Sequence, residues 1–258
     1  MPVHPTAIVD ARAVVDGSAE IGPFCIIGPE VHIGARTRLM AHVYLEGVTH
    51  IGEDNLFYPY SSVGVASQDL KYRGERAETH IGNGNTVREF VTIHRGTEGG
   101  GLVTKIGDKN LLMAYTHVAH DVHIGSHCVL ANAVTFAGHV TVGDAAVIGA
   151  HTGVHQFCRV GKHSMIGGYS VVVQDVLPYS LTTGSGRDIK LFDVNQVGLE
   201  RRGYSKDAIA ALHRAFRLLR DPKLNTSKAV AAIREEEPTA EVEEVLAFIA
   251  SSERGIIK

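Results

Sequence analysis

Residues 117–121 read His-Val-Ala-His-Asp, and three of the five carry chemistry. A neutral imidazole can ligate a metal or move a proton near pH 7. A neighbouring carboxylate can orient the ring and tune its basicity. Two readings follow. In one, histidines of this region share a metal ion. In the other, His120 is a general base and Asp121 supports it. The stretch alone does not separate them; its place in a repeating frame does.

An aliphatic or aromatic residue recurs every six positions, from Val3, Val9, Val15, Ile21, Ile27 and Ile33 onward to Phe57 and Val63. The pattern resumes at Ile81, Val87 and Ile93, and again from Ile106 to Val172. A small or β-branched residue follows four places later, as at Cys25, Val31 and Thr37. A period of six fits neither a helix nor a simple alternating strand. It predicts short strands joined by tight corners, with three hexads to a coil and about nine coils stacked as a triangular prism. The expected fold class is an all-β solenoid of parallel β-coils built from hexapeptide repeats, followed by a small α-helical C-terminal domain. The recurring aliphatic fills the prism. The Gly that often follows it is expected to supply a positive φ at the corner. Cys25, Cys128 and Cys158 all fall on the second inward position, so they read as buried packing residues.

Two polar stretches, 64–80 and 94–105, interrupt the hexads and read as loops carried on a rigid scaffold. After Asp175 the repeat stops, and LPYSLTTGSGRD reads as a connector. From Ser205 the spacing of Ile209, Leu212, Phe216 and Leu219 predicts an amphipathic helix, ended by Asp221-Pro222. Two further helices are expected over 226–236 and 239–252. The domains are therefore set at 1–186 and 187–258, the second able to cap the open end of the solenoid.

With 258 residues, 44% hydrophobic and 21% charged, the chain has an ordinary globular balance. A net charge of −3 counts against a nucleic-acid partner. Three cysteines without a pairing pattern imply a reducing compartment. MPVHPTAIVD lacks a basic segment followed by an apolar run, and no stretch approaches the roughly 20 apolar residues of a membrane span. A soluble cytoplasmic protein is expected.

Residues 18 apart stack in columns, about 4.8 Å per coil. His120, Gly138 and Gln156 share one column, Asp121 and His139 the next, and His155 lies in the column before. They converge on one strip across three coils, with His117 expected at the preceding corner. His120 and His155 would stand roughly 9–10 Å apart, long for sharing an ion within one chain, though a subunit boundary could bring such histidines together. General-base chemistry is the competing reading, and it is the one carried forward, with no metal or other cofactor expected. The Gly138 N–H could face a developing oxyanion, and His139, His155 and Gln156 could bind a polar substrate. Isolated histidines such as His32, His42 and His163 read as surface decoration.

The segments HPTAIVD, IGPFCIIGP, SQDLKY, VTIHRGT, HVAHD, AGHVTVGD, VHQFCRVG, QDVLPY and GLERRGY occur in this order over nearly the whole chain. Together they resemble the UDP-N-acetylglucosamine 3-O-acyltransferases of lipid A synthesis, within the hexapeptide-repeat superfamily. The resemblance implies a left-handed β-helix and a homotrimer with sites between neighbouring subunits. It implies that acyl carrier protein delivers a 3-hydroxyacyl thioester to the sugar 3-hydroxyl of UDP-N-acetylglucosamine. His120 then matches the general base, Asp121 its supporting carboxylate and Gly138 the oxyanion position. Gln68, Asp69 and Lys71 match nucleotide-sugar contacts, on a loop expected to reach across from another chain. His117, His139, His155 and Gln156 match further substrate contacts. Asn195, Arg201 and Arg202 match groups near the nucleotide and its phosphates, where a guanidinium can bind in a fork. Gly168 matches a position that limits acyl length and here leaves room for a longer chain. Two departures stand out. Gly184-Ser185-Gly186-Arg187 lacks the His that helps to close the acyl groove in some relatives, and Val197 replaces a Glu found near the nucleotide. Arg214, Arg217 and Arg220 offer a basic surface for the acidic carrier protein, or plain surface charge. The alternative is a metal-dependent, carbonic-anhydrase-like enzyme of the same superfamily. The N-acyltransferase of the pathway normally has a uridine-binding domain before the solenoid, and hexads starting at Val3 leave no room for one.

Overall fold

Most hexads fold as a two-residue strand and a corner. The computed structural model describes residues 3–258; the first two residues of the N-terminal segment lie outside them. Within a strand the first side chain points out and the second in, as in Ile26–Ile27. Strands stack in parallel register one coil apart, with Ile8 opposite Ile26 and Val9 opposite Ile27. Three sheets result. The first face has nine strands, from Ile8–Val9 to Val171–Val172. The second has eight, from Val14–Val15 to Arg159–Val160. The third has ten, from Glu20–Ile21 through Met165–Ile166 to Ser180–Thr183, closed by the antiparallel strand Lys190–Val194.

The inward positions form one continuous core in which Ile21, Ile27, Leu39, Phe57 and Phe136 are buried. Cys25, Cys128 and Cys158 are free and buried, and burial pushes the Cys128 thiol up to about 11. Apolar side chains are not the only inward ones. On the second-to-third corner Asn55, Asn85 and Asn110 form a ladder, each Oδ1 accepting the next coil's backbone N–H at 2.7–2.9 Å. The expected role of the repeat glycine needs correction. The left-handed residue is the third after the inward aliphatic and is seldom Gly: Phe24, His42, Tyr60, Asp121 and His139 all have φ of 55–64°. The glycine answers a lack of space. At Gly22 a Cβ would stand 1.3 Å from the carbonyl oxygen of Met40 in the next coil.

Both interruptions leave at the first-to-second corner. The chain departs after Ser62–Val65 and after Thr92–His94, and rejoins the second face at Glu78–Ile81 and Val103–Ile106. Register holds across them, with His50 opposite His80 and Thr79 opposite Thr104.

The expected connector is more ordered than the reading allowed. It contains the strand Ser180–Thr183, which pairs with Lys190–Val194 as a hairpin. Four helices follow: α1 (Gln196–Arg201), α2 (Lys206–Arg220), α3 (Thr226–Arg234) and α4 (Ala240–Ala250). The short α1 was not expected. Ser205 caps α2 by accepting from the Ala208 N–H at 3.1 Å. The stripe Ile209, Leu212, Phe216 and Leu219 belongs to a second core that begins at Leu177 and Tyr179. Arg159 ties α4 to the solenoid, bonding Asp175 Oδ2 at 2.9 Å and the Phe248 carbonyl at 2.9 Å. Among the described residues no helix is long and apolar enough to cross a membrane.

Candidate active site

After inward Val118 the chain turns the first-to-second corner through Ala119, His120 and Asp121, and Val122 points inward again. Asp121 takes the left-handed conformation, φ 59°. His117 is not at a corner as expected. It lies on the strand His117–Val118 of the first face, its Nδ1 2.7 Å from Thr92 Oγ1.

Asp121 has a side chain only 1% exposed, and both of its oxygens accept hydrogen bonds. Oδ1 accepts from the Thr97 N–H at 2.9 Å. Oδ2 accepts from the Thr97 hydroxyl at 2.5 Å and from His120 Nδ1 at 2.8 Å. An ionised carboxylate only accepts, so Nδ1 carries the proton and Nε2 presents a lone pair. The second loop makes this possible. Thr97 supplies two donors, and Gly100 presses so close that a Cβ there would lie 2.0 Å from Asp121 Cγ.

The His120 ring packs closely over Gly138 of the next coil. A Cβ on Gly138 would fall 2.4 Å from Cε1 and 2.6 Å from Nε2 of His120. Among the described residues the Gly138 N–H has no acceptor. Beyond Nε2 stands Asp69, its Oδ2 3.9 Å away. Asp69 comes from the first loop of the same chain, so that loop folds onto its own corner and does not need to come from another chain. The Lys71 N–H bonds Asp69 Oδ1 at 3.0 Å and holds the carboxyl below its usual range. Gln68 and Lys71 are exposed beside it. Arg95 pins the loop's root, bonding Glu46 Oε1 at 2.7 Å and the Gly64 carbonyl at 2.8 Å.

His139 meets His120 edge-on at 5.0 Å and stacks on Phe157 at 4.4 Å. Burial lowers its pKa, and the nearby Asp121 opposes that. His155 and Gln156 follow in the next coil, both exposed. Two residues escaped the sequence reading: Thr97 and His94. His94 is buried and edge-on to His117 at 4.9 Å. Burial first, then the charges of His117, His120 and Arg95, bring its pKa down to about 4. The hexads break after Ile93, so no column places His94 although VTIHRGT contains it.

A metal set not considered from spacing also exists here. His120, Asp121 and His139 offer ligand atoms within 4.8 Å of one another. The three donors already on Asp121 suit an orienting carboxylate better than a ligand.

A family model described as UDP-N-acetylglucosamine O-acyltransferase, domain 2, matches residues 175–257. One described as bacterial transferase hexapeptide (six repeats) matches 104–138. LpxA from Acinetobacter baumannii is 42% identical over 100% of both chains, with a TM-score of 0.95. The UDP-N-acetylglucosamine acyltransferase of Bacteroides fragilis is 39% identical over 99% of this chain and 100% of its own, TM-score 0.95. That of Arabidopsis is 32% identical over 99% and 100%, TM-score 0.85. The chain belongs to the UDP-N-acetylglucosamine O-acyltransferase family. It is an acyltransferase on a left-handed parallel β-helix, and the carbonic-anhydrase-like alternative falls away.

The remaining residues matched to this acyltransferase family lie on other corners of the prism. Asn195 is largely buried on the second-to-third corner, its Nδ2 bonding the His163 carbonyl at 2.9 Å. Arg202 is close enough to help depress His163, after burial. Arg201 and Arg202 are exposed at the end of α1, and Val197 is exposed at its start. Gly168 sits on the third-to-first corner, where a Cβ would come 3.0 Å from the Ala150 carbonyl oxygen. One chain therefore does not gather these four residues at His120. In the cap, Arg214 pairs with Glu236 at 3.4 Å and Arg220 with Asp193 at 3.6 Å, while Arg217 is exposed.

Proposed function

We propose that this acyltransferase moves a 3-hydroxyacyl group from acyl carrier protein to the 3-hydroxyl of UDP-N-acetylglucosamine, the first step of lipid A synthesis, in the cytoplasm. The observation that carries the mechanism is the bond from His120 Nδ1–H to buried Asp121, which leaves Nε2 as a base. The sugar hydroxyl attacks the thioester carbonyl while Nε2 takes its proton. The oxyanion that forms is met by the Gly138 N–H. Collapse breaks the C–S bond, and His120 returns the proton to the carrier protein's thiolate. Atoms and charge balance without a redox partner or metal. Asp69, Gln68, Lys71, His117, His139, His155 and Gln156 surround this point as substrate contacts.

The chain acts as a homotrimer in this reading. Two observations support it. Asn195, Arg201 and Arg202 stand on a different corner from His120, and a threefold ring sets unlike surfaces of neighbours together. The third-to-first corner also exposes a row of aromatic rings, including Phe24, Tyr60, Phe90, Tyr115 and Tyr169. Such a patch marks an association surface. Residues 1–186 then form the catalytic solenoid, and 187–258 form a cap that also contributes nucleotide contacts.

His120→Ala should cut transfer from acyl carrier protein by about 10²–10⁴-fold, the usual worth of a general base. Near-normal turnover in a mass-spectrometric assay would overturn the assignment. A ladder of acyl chain lengths in the same assay tests Gly168: Gly168→Met should shift preference to shorter chains.

A further inference from the structure

The second face carries a cluster that acyl transfer does not use. His32, His50 and His80 occupy the same outward position in three successive coils, His32 opposite His50 and His50 opposite His80. Ring centroids are 4.7 Å and 5.0 Å apart. Glu78 precedes His80 by two residues on one strand, so both side chains leave the same side of the sheet. Its Oε2 lies 2.6 Å from His80 Nε2. His50, Glu78 and His80 each offer a ligand atom within 4.8 Å of the others.

We propose that His50, Glu78 and His80 bind a divalent transition-metal ion of the Zn²⁺, Co²⁺ or Ni²⁺ kind, with His32 tilted against His50 as a further donor in the column. Two imidazoles and one carboxylate form a borderline donor set that favours these ions over Mg²⁺ or Ca²⁺. Bonds of about 2.0–2.2 Å require the donor atoms to rearrange around a shared point, the Glu78–His80 hydrogen bond opening to admit the ion between its two atoms. Small side-chain rotations achieve that, because the backbone positions are already fixed by parallel pairing. Surface decoration would scatter histidines; here the carboxylate is turned onto the imidazole column. All three ligands are partly exposed, so an ion can enter from solvent. The second face is opposite the aromatic corner, so a trimer joined there leaves it accessible.

The location gives the ion a role. His50 precedes the first loop, and Glu78 and His80 follow it directly. That loop carries Asp69 to His120. A bound ion would clip the coil before the loop to the coil after it, as a staple at the loop's return.

The test uses untagged, chelator-stripped full-length protein titrated with Zn²⁺ by calorimetry and with Co²⁺ by visible absorption. Wild type should take up a stoichiometric ion, and Zn²⁺ should raise its melting temperature. A His50→Asn/His80→Asn variant should lose the binding and the thermal shift while keeping its acyl-transfer rate. His139→Asn, at the acyl-transfer corner, should keep the metal binding and the thermal shift. Glu78→Gln, nearly isosteric, guards against misfolding. It should melt normally in chelator and bind more weakly. Absence of saturable binding overturns the proposal. So does binding that survives the double variant, or that only His139→Asn removes.

Discussion

The first-to-second and third-to-first corners share one backbone. Each puts its left-handed residue three places after the inward aliphatic: Asp121 at φ 59° and His139 at 63° on one, Tyr60 at 64° and Tyr115 at 65° on the other. Each brings rings together at about the coil spacing. Phe24, His42, Tyr60, Phe90 and Tyr115 follow one another at 4.9–5.1 Å, and His120 meets His139 at 5.0 Å. The difference lies in what is inserted. Both loops leave at the first-to-second corner, and their backbone and side chains bury a carboxylate there. The aromatic corner has no loop and stays open. The repeat provides a ruler, and the insertions turn one edge of it into a site with controlled protonation.

The largest break in this comparison should come from Asp121→Asn. An amide cannot accept from the Thr97 N–H, the Thr97 hydroxyl and His120 Nδ1–H together, because its NH₂ must face one of them. The ring then loses its fixed tautomer. We expect kcat to fall by about 10³-fold. Steady-state kinetics beside a thermal melt will show whether the loss is in orientation or in folding. Unchanged kcat would mean that the carboxylate does not set the base.

What could be read beforehand follows from the same division. Period-six spacing dictates coils, faces and columns, so the positions of His120, Gly138, His139 and Gln156 on one strip were legible. Contacts through the loops were not, because register arithmetic stops where the hexads stop. Asp69 was expected to act from another chain, yet it lies 3.9 Å from its own His120. Thr97 went unnoticed because its role depends on the loop's path, which no period encodes. The cap's hairpin was missed because Ser180–Thr183 continues a sheet whose ladder lies in the solenoid. His50 and His80 were separable from decoration only through Glu78, two residues away on a strand that appeared to be loop.

The next effect concerns the charge that burial refuses. His94 titrates near 4 when folded, against an ordinary value of 6.5. Between those values the unfolded chain binds a proton that the folded chain does not. Stability is therefore full above pH about 6.5 and declines as pH falls towards 4. The shift corresponds to at most about 3 kcal/mol. Burial lowers His117, His139 and His163 as well, which adds to the same slope. Denaturant melts across this window should show the decline, and His94→Gln should flatten part of it. A melt insensitive to pH between 4 and 6.5 would contradict the buried, neutral imidazole.

The smallest effect belongs to the open corner and tests whether its rings serve the chain or the assembly. Tyr115 ends the stack and is 60% exposed. It meets Phe90 at 4.9 Å, a pair worth about 0.5–1.5 kcal/mol. If the row only braces one chain, Tyr115→Ala should lower the unfolding free energy by that amount and leave the oligomeric state alone. If the row is also an interface, a further loss falls on the assembly beside the loss within the chain. The cost then appears once per copy in the ring, and the trimer should dissociate on dilution at concentrations where wild type does not. Sedimentation velocity over a dilution series separates the two, and on the proposed homotrimer, in which Asn195, Arg201 and Arg202 meet a neighbour's His120, acyl transfer should fall with the trimer.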